Sequence, residues 1–119
     1  MNVNISQLEL LSRLLDVTSL RHHVIAHNIA NVNTPGFHRM DVSFEESLEK
    51  QIATKAQPVL DQLKPRVTED KVSEERADGN NVDIDVEMGR LNKNALLFNA
   101  YTQILASRIA TMRSAISGK

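Results

Sequence analysis

The first part of the chain carries the hydrophobic pattern of an amphipathic α-helix. From about Asn4 to Val32, one stripe of positions recurs at alternating spacings of three and four, the heptad pattern of a helix that packs on other helices. A second apolar stripe runs beside it, so the apolar face is wider than a two-stranded coiled coil needs. Asn4 or Ser6 can cap the helix, and Glu9 can complete a capping box with Ser6. The first stripe is Leu8, Leu11, Leu15, Thr18, His22, Ile25, Ile29 and Val32, and the second is Leu10, Leu14, Val17 and Val24.

The last part of the chain shows the same rhythm over a longer stretch, from about Asp83 to Ile116. This spacing predicts a helix roughly 50 Å long, at 1.5 Å per residue. Gly89 is its one weak point, since glycine in a helix interior costs about 1 kcal/mol relative to alanine. Acids near the predicted start and bases near the end both suit the helix macrodipole. The stripe is Ile84, Met88, Leu91, Ala95, Phe98, Thr102, Leu105, Ile109, Met112 and Ile116, flanked by Leu97, Tyr101 and Ile104.

The segment between these helices has a different composition, with all three prolines and ten of the fifteen acidic residues. Residues 44–52 can form a short helix. From Gln57 to Asn80 the sparse pattern predicts an extended or partly disordered surface loop, in which short strand pairing is possible. The predicted organisation is therefore an N-terminal helix (1–32), a turn and short segment (33–49), a flexible central loop (50–82) and a C-terminal helix (83–119).

These elements predict a mainly α fold in which the two long helices pair as a coiled-coil-like hairpin, with an irregular central loop. Both apolar faces are wider than one partner helix hides, and the centre looks too polar to cover the rest. Exposed apolar surface of that size normally marks an interaction site. The alternative is a small bundle in which residues 44–63 supply a third helix, although Pro58 weakens it. The predicted helix-packing interface is Leu8, Leu11, Leu15, Ile25, Ile29, Ile84, Met88, Leu91, Phe98, Leu105, Ile109 and Met112.

Composition narrows the functional classes. The formal net charge of −1 argues against a general attraction to nucleic acid, and the absence of cysteine excludes disulfides and thiolate metal sites. No phosphate loop, nucleophile elbow or convergent polar set is present, so we expect no enzymatic activity, cofactor or small-molecule ligand. The first residues lack the pattern of a signal peptide, and no segment approaches the ~20 apolar residues of a transmembrane helix.

Charge is distributed unevenly along the chain. Five bases and no acid follow Glu87, whereas the central segment is acidic. A head-to-tail array could set the basic terminal helix of one subunit against the acidic segment of another. The alternative is that both are simply solvated faces.

Three histidines near the end of the first helix are the only cluster that suggests metal chemistry. His23 and His27 are one turn apart, a spacing that can place two imidazoles on one metal ion. His38 lies beyond a turn, and no His-Glu-x-x-His pattern is present. Because His22 also lies on the first apolar stripe, we interpret these residues as polar helix positions and predict no metal site.

The segment that follows the first helix combines a helix stop with a tight turn. Asn33 can take the left-handed conformation that ends a helix. Pro35 and Gly36 fit the two central positions of a type II turn, so that Phe37 can pack back on the helix end. The residues of this motif are Ala30, Asn31, Asn33, Thr34, Pro35, Gly36 and Phe37.

The run Ala-Asn-Val-Asn-Thr-Pro-Gly-Phe, at the end of an amphipathic N-terminal helix, closely resembles the signature of the flagellar rod and hook family. Residues 37–46 resemble the continuation in proximal rod members, and residues 78–88 and 94–117 resemble their C-terminal half. The short centre agrees, since the distal rod and hook relatives carry a large β domain there. Two paralogous types of proximal rod subunit fit. The residues from Asp41 to Glu45 and the short centre favour one of them, and the other, FlgC, stays open.

The resemblance implies a structural subunit of the proximal rod in the basal body of the bacterial flagellum, with terminal helices that line the axial tube. Such a subunit would be exported by the flagellar type III apparatus without a cleaved signal peptide. It would assemble in the periplasmic rod with copies of itself, with rod proteins of the FlgC, FlgF and FlgG types, and with FliE and the MS-ring. There it would transmit torque and surround the export channel. The alternative from another class is a soluble helical adaptor or export chaperone, which would be stable alone.

Overall fold

The structure of the protein, a computed structural model, describes residues 6–54 and 63–119. Its two long terminal helices pack against each other, and the molecule measures 64 × 32 × 17 Å along its principal axes. The predicted mainly α fold with paired terminal helices is confirmed. The elements in chain order are α1 (Gln7–Ala30), β1 (Met40–Ser43), α2 (Glu45–Ala53), β2 (Arg66–Glu69) and α3 (Ile84–Ser117).

Helix α1 begins with the predicted capping box. The Glu9 N–H donates to the Ser6 hydroxyl at 3.2 Å, and the Ser6 N–H donates to the Glu9 carboxylate at 2.7 Å. These two bonds satisfy backbone donors that have no partner within the helix. The predicted helix runs to about Val32, with Asn33 as the left-handed residue that follows it. The observed helix ends at Ala30, and Asn31 is its C-cap, with φ −103° and ψ 14°.

Helix α3 runs without interruption through Gly89. Asp83 caps its start by accepting hydrogen bonds from the N–H groups of Asp85 and Val86. Gly118 ends it in the left-handed conformation, with φ 67°. At 1.5 Å per residue α3 is roughly 15 Å longer than α1, and every residue from 106 to 119 is exposed.

A small hydrophobic core lies beside α1 on the side of its second apolar stripe. Val17 from that stripe packs with Val42 of β1, Phe44 and Leu63, and all four are at most 5% exposed. Leu14, Leu20, Val24 and Leu48 pack around them. The expectation that the centre is too polar to cover the remaining helix surface is therefore wrong for α1. Three well-placed apolar residues from the centre suffice, because the second stripe is short.

Strands β1 and β2 form a two-stranded antiparallel sheet in which Val42 lies opposite Val67. Short strand pairing was expected as a possibility within the central segment, and it joins residues 66–69 to the strand after the motif. A third helix reaching Leu63 is not observed, because α2 ends at Ala53 and Leu63 is not helical. Residues 55–62 of the predicted flexible loop lie outside the described residues. Among the helices of the described chain, none is both long and apolar enough to cross a membrane.

Candidate functional site

The motif turn has the geometry predicted from the sequence. The Phe37 N–H donates to the Thr34 carbonyl at 3.2 Å, and Gly36 has φ 72°, as the third position of a type II turn requires. The Phe37 ring packs edge-on against His27 with the ring centroids 5.6 Å apart. The turn is thereby fastened to the last turn of α1.

A second segment, residues 76–82, closes over this turn; we call residues 31–37 and 76–82 together the motif clasp. Asn80 is fully buried within it. The side-chain amide of Asn80 donates to the carbonyls of Asn31 at 2.9 Å and Thr34 at 2.8 Å. Its side-chain carbonyl accepts from the Val82 N–H at 2.7 Å. One asparagine therefore joins the end of α1, the motif turn and the chain that enters α3.

Backbone groups also join the two halves of the motif clasp. The Gly36 N–H donates to the Asp78 carbonyl at 2.8 Å, and the Asn81 N–H donates to the Phe37 carbonyl at 3.3 Å. These bonds use no side chain, so the fit depends on how closely the two backbones approach.

Arg76 crosses between the two halves of the clasp. Its guanidinium donates to the Val32 carbonyl and, at 3.2 Å, to the Val82 carbonyl. The arginine thus satisfies a carbonyl beyond the end of α1, where the helix itself offers no donor.

Asn28 connects α1 to β1. It is fully buried, and its side chain both accepts from the Met40 N–H and donates to the Met40 carbonyl, each at 2.8 Å. An antiparallel strand leaves such a pair of backbone groups facing away from its neighbour at alternate residues. The Asn28 amide therefore takes the place of a further strand at Met40. It also donates to the Glu87 carboxylate at 3.2 Å.

Arg39, the residue before β1, and Glu87 of α3 form a buried ion pair. The Arg39 Nε lies 2.7 Å from the Glu87 Oε1, and the two side chains are 6% and 0% exposed. The Arg39 Nη1 also contacts Asp70 at 2.9 Å. Burial alone would lower the pKa of Arg39, but the hydrogen bonds to Glu87 and Asp70 outweigh it and raise that pKa. The buried charge is therefore paired on two sides, as burial of an ion requires.

Asn81 continues this network on the other side of Arg39. Its side-chain carbonyl accepts from the Arg39 N–H at 2.7 Å, and its amide donates to the Asp70 carbonyl at 2.7 Å. We call the buried set Asn28, Arg39, Asn80, Asn81 and Glu87 the polar junction. It ties α1, β1 and α3 to the motif clasp. Its polar groups are engaged by partners within the chain, which suits fixed orientation of helices better than chemistry on a substrate.

Asp70 orders the loop that follows β2. Its carboxylate accepts from the Ser73 hydroxyl at 2.6 Å and from the N–H groups of Ser73 and Val72 at 3.0 and 2.9 Å. These bonds, with that of Arg39, hold the pKa of Asp70 well below its usual range. The loop so fixed presents Val72, which is 96% exposed.

The histidines lie in three separate environments. His22 and His23 contact each other edge-on with centroids 6.2 Å apart. His38 lies between two carboxylates, with Nδ1 2.8 Å from Glu69 and Nε2 2.8 Å from Glu75. The hydrogen bond to Glu69 is the main reason why the pKa of His38 is raised. Within residues 6–54 and 63–119, no three His, Cys, Asp or Glu side chains are arranged to hold a metal ion.

The residues predicted as a helix-packing interface fall into three groups. The side of α3 that meets α1 is centred on Glu87 and Asn94, both nearly inaccessible to solvent, with Asn94 donating to the Thr18 carbonyl at 2.7 Å. The predicted stripe lies beside that face. Leu11 and Ile25 are buried, Leu8, Leu15, Ile29, Leu91 and Leu105 are half-buried, and Ile84, Met88, Phe98, Ile109 and Met112 are 42–49% exposed. The exposed members stay candidates for contacts with other chains.

The residues of the family motif also differ in their exposure to solvent. Asn31 and Phe37 are half-buried, whereas Ala30, Asn33, Thr34, Pro35 and Gly36 are exposed. The motif therefore contributes its backbone and its Phe37 ring to the clasp. The part that holds it, the polar junction, was missed by the sequence reasoning. Its one visible signal was the pair Glu87 and Asn94, which lie seven residues apart and so share a helix face.

Comparison with known proteins agrees with this architecture. Residues 1–38 match the family described as "Flagella basal body rod protein". That match spans α1 and the motif turn. It ends at the residue before Arg39, where the polar junction reaches β1.

Curated relatives extend the similarity over most of the chain. The flagellar basal body rod protein FlgB of Borrelia hermsii is 37% identical over 134 aligned positions, which cover 98% of this chain and 99% of the relative. FlgB of Borreliella burgdorferi is 36% identical over 112 positions, covering 79% and 83%. FlgB of Aeromonas hydrophila is 29% identical over 116 positions, covering 88% of each.

The chain therefore belongs to the flagellar basal body rod proteins, structural components of the bacterial flagellum, and within them to the FlgB family. The preference for this type over its FlgC paralogue, based on the residues from Asp41 to Glu45 and the short centre, is confirmed.

Proposed function

We propose that this chain is a subunit of the proximal rod in which α1 and α3 form an axial pair of helices. This pair packs against copies of the chain and against neighbouring rod proteins, transmits torque and surrounds the export channel. The observation that carries the proposal is the division of α3 into two faces. The face with Glu87 and Asn94 is turned to α1, whereas Met88, Phe98 and Ile109 remain 42–46% exposed.

Torque transmission needs a subunit whose parts do not slide past one another. The polar junction supplies this property, because the Arg39–Glu87 pair and the Asn28 bonds connect α3, β1 and α1 at one point. Directional hydrogen bonds fix orientation more strictly than apolar contacts, which tolerate sliding. A force applied to α3 is then carried to α1 without bending the connection.

Export and assembly place opposite demands on stability. The core of the free chain is small, formed by Val17, Val42, Phe44 and Leu63, and a small core gives low stability. A chain of low stability unfolds readily for export by a type III apparatus. Burial of the exposed α3 stripe in the rod then stabilises the folded form by mass action.

The partners follow from the same proposal. Copies of the chain meet the exposed stripe, and further surfaces contact rod proteins of the FlgC, FlgF and FlgG types, FliE and the MS-ring. The proposal assigns no nucleic acid, cofactor or catalytic group to the chain.

Deletion of the coding sequence, followed by isolation of basal bodies, tests the proposal. We expect basal bodies with rings but no rod, and cells that regain motility when a plasmid supplies the chain. Intact rods and normal swimming in the deletion strain would contradict the proposal.

A paired substitution tests the role of the exposed stripe. Phe98→Asp places a charge on the stripe, and Ala100→Asp places the same charge on a different side of the same helix. Both positions are exposed, so we expect both purified chains to keep their helical circular dichroism. Only Phe98→Asp should abolish swimming, since burying an unpaired charge in an interface is costly. Equal swimming of the two strains would show that the exposed stripe is not part of the interface.

The adaptor or chaperone alternative makes a different prediction for the isolated protein. Such a module would be a stable, discrete bundle by circular dichroism and light scattering. Low stability of the purified chain, which increases on assembly into the rod, supports the subunit.

A further inference from the structure

The end of α3 forms an unpaired helical tail, which we define as residues 104–119. Beyond Leu105 every residue is exposed, including Ile109 at 46%, Met112 at 49% and Ile116 at 85%. The tail carries Arg108, Arg113 and Lys119 and no acidic residue. It is therefore a basic helix with an apolar stripe that nothing in the described chain covers.

The start of α3 borders a cleft of about 630 Å³. Its apolar lining is Val82, Ile84 and Val86, of which Ile84 and Val86 are 45% and 48% exposed. We call this cleft, with the preceding loop, the head. The acidic residues at its rim are Glu74, Glu75 and Asp83.

The cleft also contains three arginines, and each has partners within the chain. Arg39 pairs with Glu87, and Arg90 pairs with Asp41 at 3.2 Å. Arg76 donates to backbone carbonyls in the motif clasp. Glu75 is paired with His38, so Glu74, Asp83 and the adjacent Asp85 carry most of the negative charge that faces solvent.

Charge along this part of the chain is segregated. The stretch from Glu69 to Glu87 has eight acids and two bases, whereas the stretch from Met88 to Lys119 has five bases and no acid. The head and the tail therefore have complementary charge, and both present apolar side chains between their charges. Such surfaces attract each other and exclude like pairings.

The two surfaces lie at opposite ends of one helix of 34 residues. Roughly 1.5 Å per residue places Val86 and Met112 about 39 Å apart, so a tail cannot fold back onto its own head. Contact between different surfaces on two copies is heterologous and leads to rings or helical arrays, not to closed pairs.

We propose that the tail of α3 docks in the head cleft of a second copy of this chain, with Ile109 and Met112 against Ile84 and Val86. Arg108 and Arg113 then face Glu74 and Asp85 of the second copy. This inference rests on the proposed self-association of the rod subunit and adds the pair of surfaces that meet.

Cysteine cross-linking tests the contact directly, because the natural chain contains no cysteine. The chain carrying both Val86→Cys and Met112→Cys is expressed in the deletion strain, and flagellated cells are oxidised. Disulfides require Cα atoms within about 7 Å, so bonding within one chain is impossible. We expect a ladder of disulfide-linked oligomers on a non-reducing gel.

In the matched control, the second cysteine is placed at an exposed apolar position outside the head. Ile52 on α2 is 62% exposed, and we expect Ile52→Cys with Met112→Cys to give no ladder. An equal ladder from this control, or a discrete dimer from Met112→Cys alone, overturns the proposal. If cells with the Val86→Cys and Met112→Cys variant swim but show no ladder, the docking proposal is overturned. The proposed function as a rod subunit is then unaffected.

Charge reversal provides an independent readout with the purified, cysteine-bearing chain. The tail-reversed chain carries Arg108→Glu and Arg113→Glu, and the head-reversed chain carries Glu74→Lys and Asp85→Lys. We expect each alone to lose at least tenfold in cross-linking yield. A mixture of the two should regain it, because each reversed surface then meets an opposite one.

Failure of the mixture to regain cross-linking would overturn the docking. A basic apolar helix also suits an anionic lipid surface. The natural chain could co-sediment with vesicles of anionic phospholipid while the tail-reversed chain does not. Together with an unchanged cross-linking yield after head reversal, that result would also overturn the docking. Neither result would change the conclusion drawn from the deletion experiment.

Discussion

Gly36 and Gly79 meet backbone to backbone at the centre of the motif clasp. A Cβ added to Gly79 would lie 3.4 Å from the Cα of Gly36, and Gly79 itself has φ 81°. The turn of the family motif therefore has a second, unrecognised glycine as its partner. The backbone conformation at Gly79 favours glycine.

Gly79→Ala should destabilise the chain. The left-handed conformation costs a non-glycine residue roughly 1–2 kcal/mol. The free energy of unfolding from urea titration measures the loss. Gly89→Ala is the matched control: its new Cβ meets nothing within 4 Å, and we expect a gain of about 1 kcal/mol in stability. Equal effects of the two alanines would refute the role of the left-handed conformation at Gly79.

Glu87→Gln should destabilise the fold by about 3 kcal/mol, since it leaves the buried Arg39 without its closest counter-charge. The substitution preserves shape, so no cavity contributes. Denaturant unfolding measures the effect. Glu46→Gln removes a carboxylate from the exposed Lys50 pair at 2.8 Å and should leave stability almost unchanged. A loss at Glu87 as small as that at Glu46 would show that the buried pair is dispensable.

Asn80→Ala should open the motif clasp. It removes one of the two donors from the carbonyls of Asn31 and Thr34. It also leaves the buried N–H of Val82 without its partner, and an unsatisfied buried group costs roughly 1–3 kcal/mol. Limited proteolysis and hydrogen exchange across residues 31–37 should report faster opening. The exposed Asn99 on α3 supplies the control, because Asn99→Ala should leave both readouts unchanged. Unaltered exchange in the Asn80 variant would contradict the assigned role.

His38 should make the attachment of the loop after β2 depend on pH. Both ring nitrogens donate only in the protonated form, and Glu69 of β2 and Glu75 of the loop hold that form and raise the pKa of His38. For a group whose pKa is raised on folding, the stabilisation is complete below the unfolded value of about 6.5. It is lost as pH rises through the folded value. Proton NMR titration of the imidazole measures this.

The carboxylate variants provide the comparison for His38. Glu69→Gln and Glu75→Gln should each lower the pKa of His38. Glu74→Gln removes a neighbouring carboxylate that does not pair with His38, and it should leave that pKa unchanged. A pKa of His38 at or below 6.5 in the natural chain would rule out the double ion pair.

Periodicity predicted the two long helices because their apolar residues recur on one face, and Ser6 and Glu9 marked the start of the first by local chemistry. The type II turn was likewise local, since Pro35 and Gly36 determine its backbone. The polar junction is not local: Asn28 bonds to Glu87, and Arg39 to Asp70 and Glu87, across long stretches of chain. Hydrophobic patterning places Glu87 and Asn94 on the outside of a helix by default. Only the fold shows that they are inside.

The small core escaped prediction for a related reason. Val42, Phe44 and Leu63 stand singly in an acidic, proline-containing segment, where no window shows an apolar period. Their burial depends on the sheet that brings them beside Val17, and that sheet joins strands with no hairpin turn between them. Packing of the exposed α3 stripe against other chains stays a prediction, which the swimming and cross-linking experiments test.

The polar junction also determines when a newly made chain can fold. A ribosome releases α1 and the motif turn first, yet Arg39 has no buried counter-charge and Asn28 no acidic partner until Glu87 has emerged. About three quarters of the chain must therefore be made before Arg39, which can already meet Asp70, gains its closest and fully buried partner. The polar junction is therefore completed by a contact made late in the sequence, after α1 and the motif turn have been synthesised.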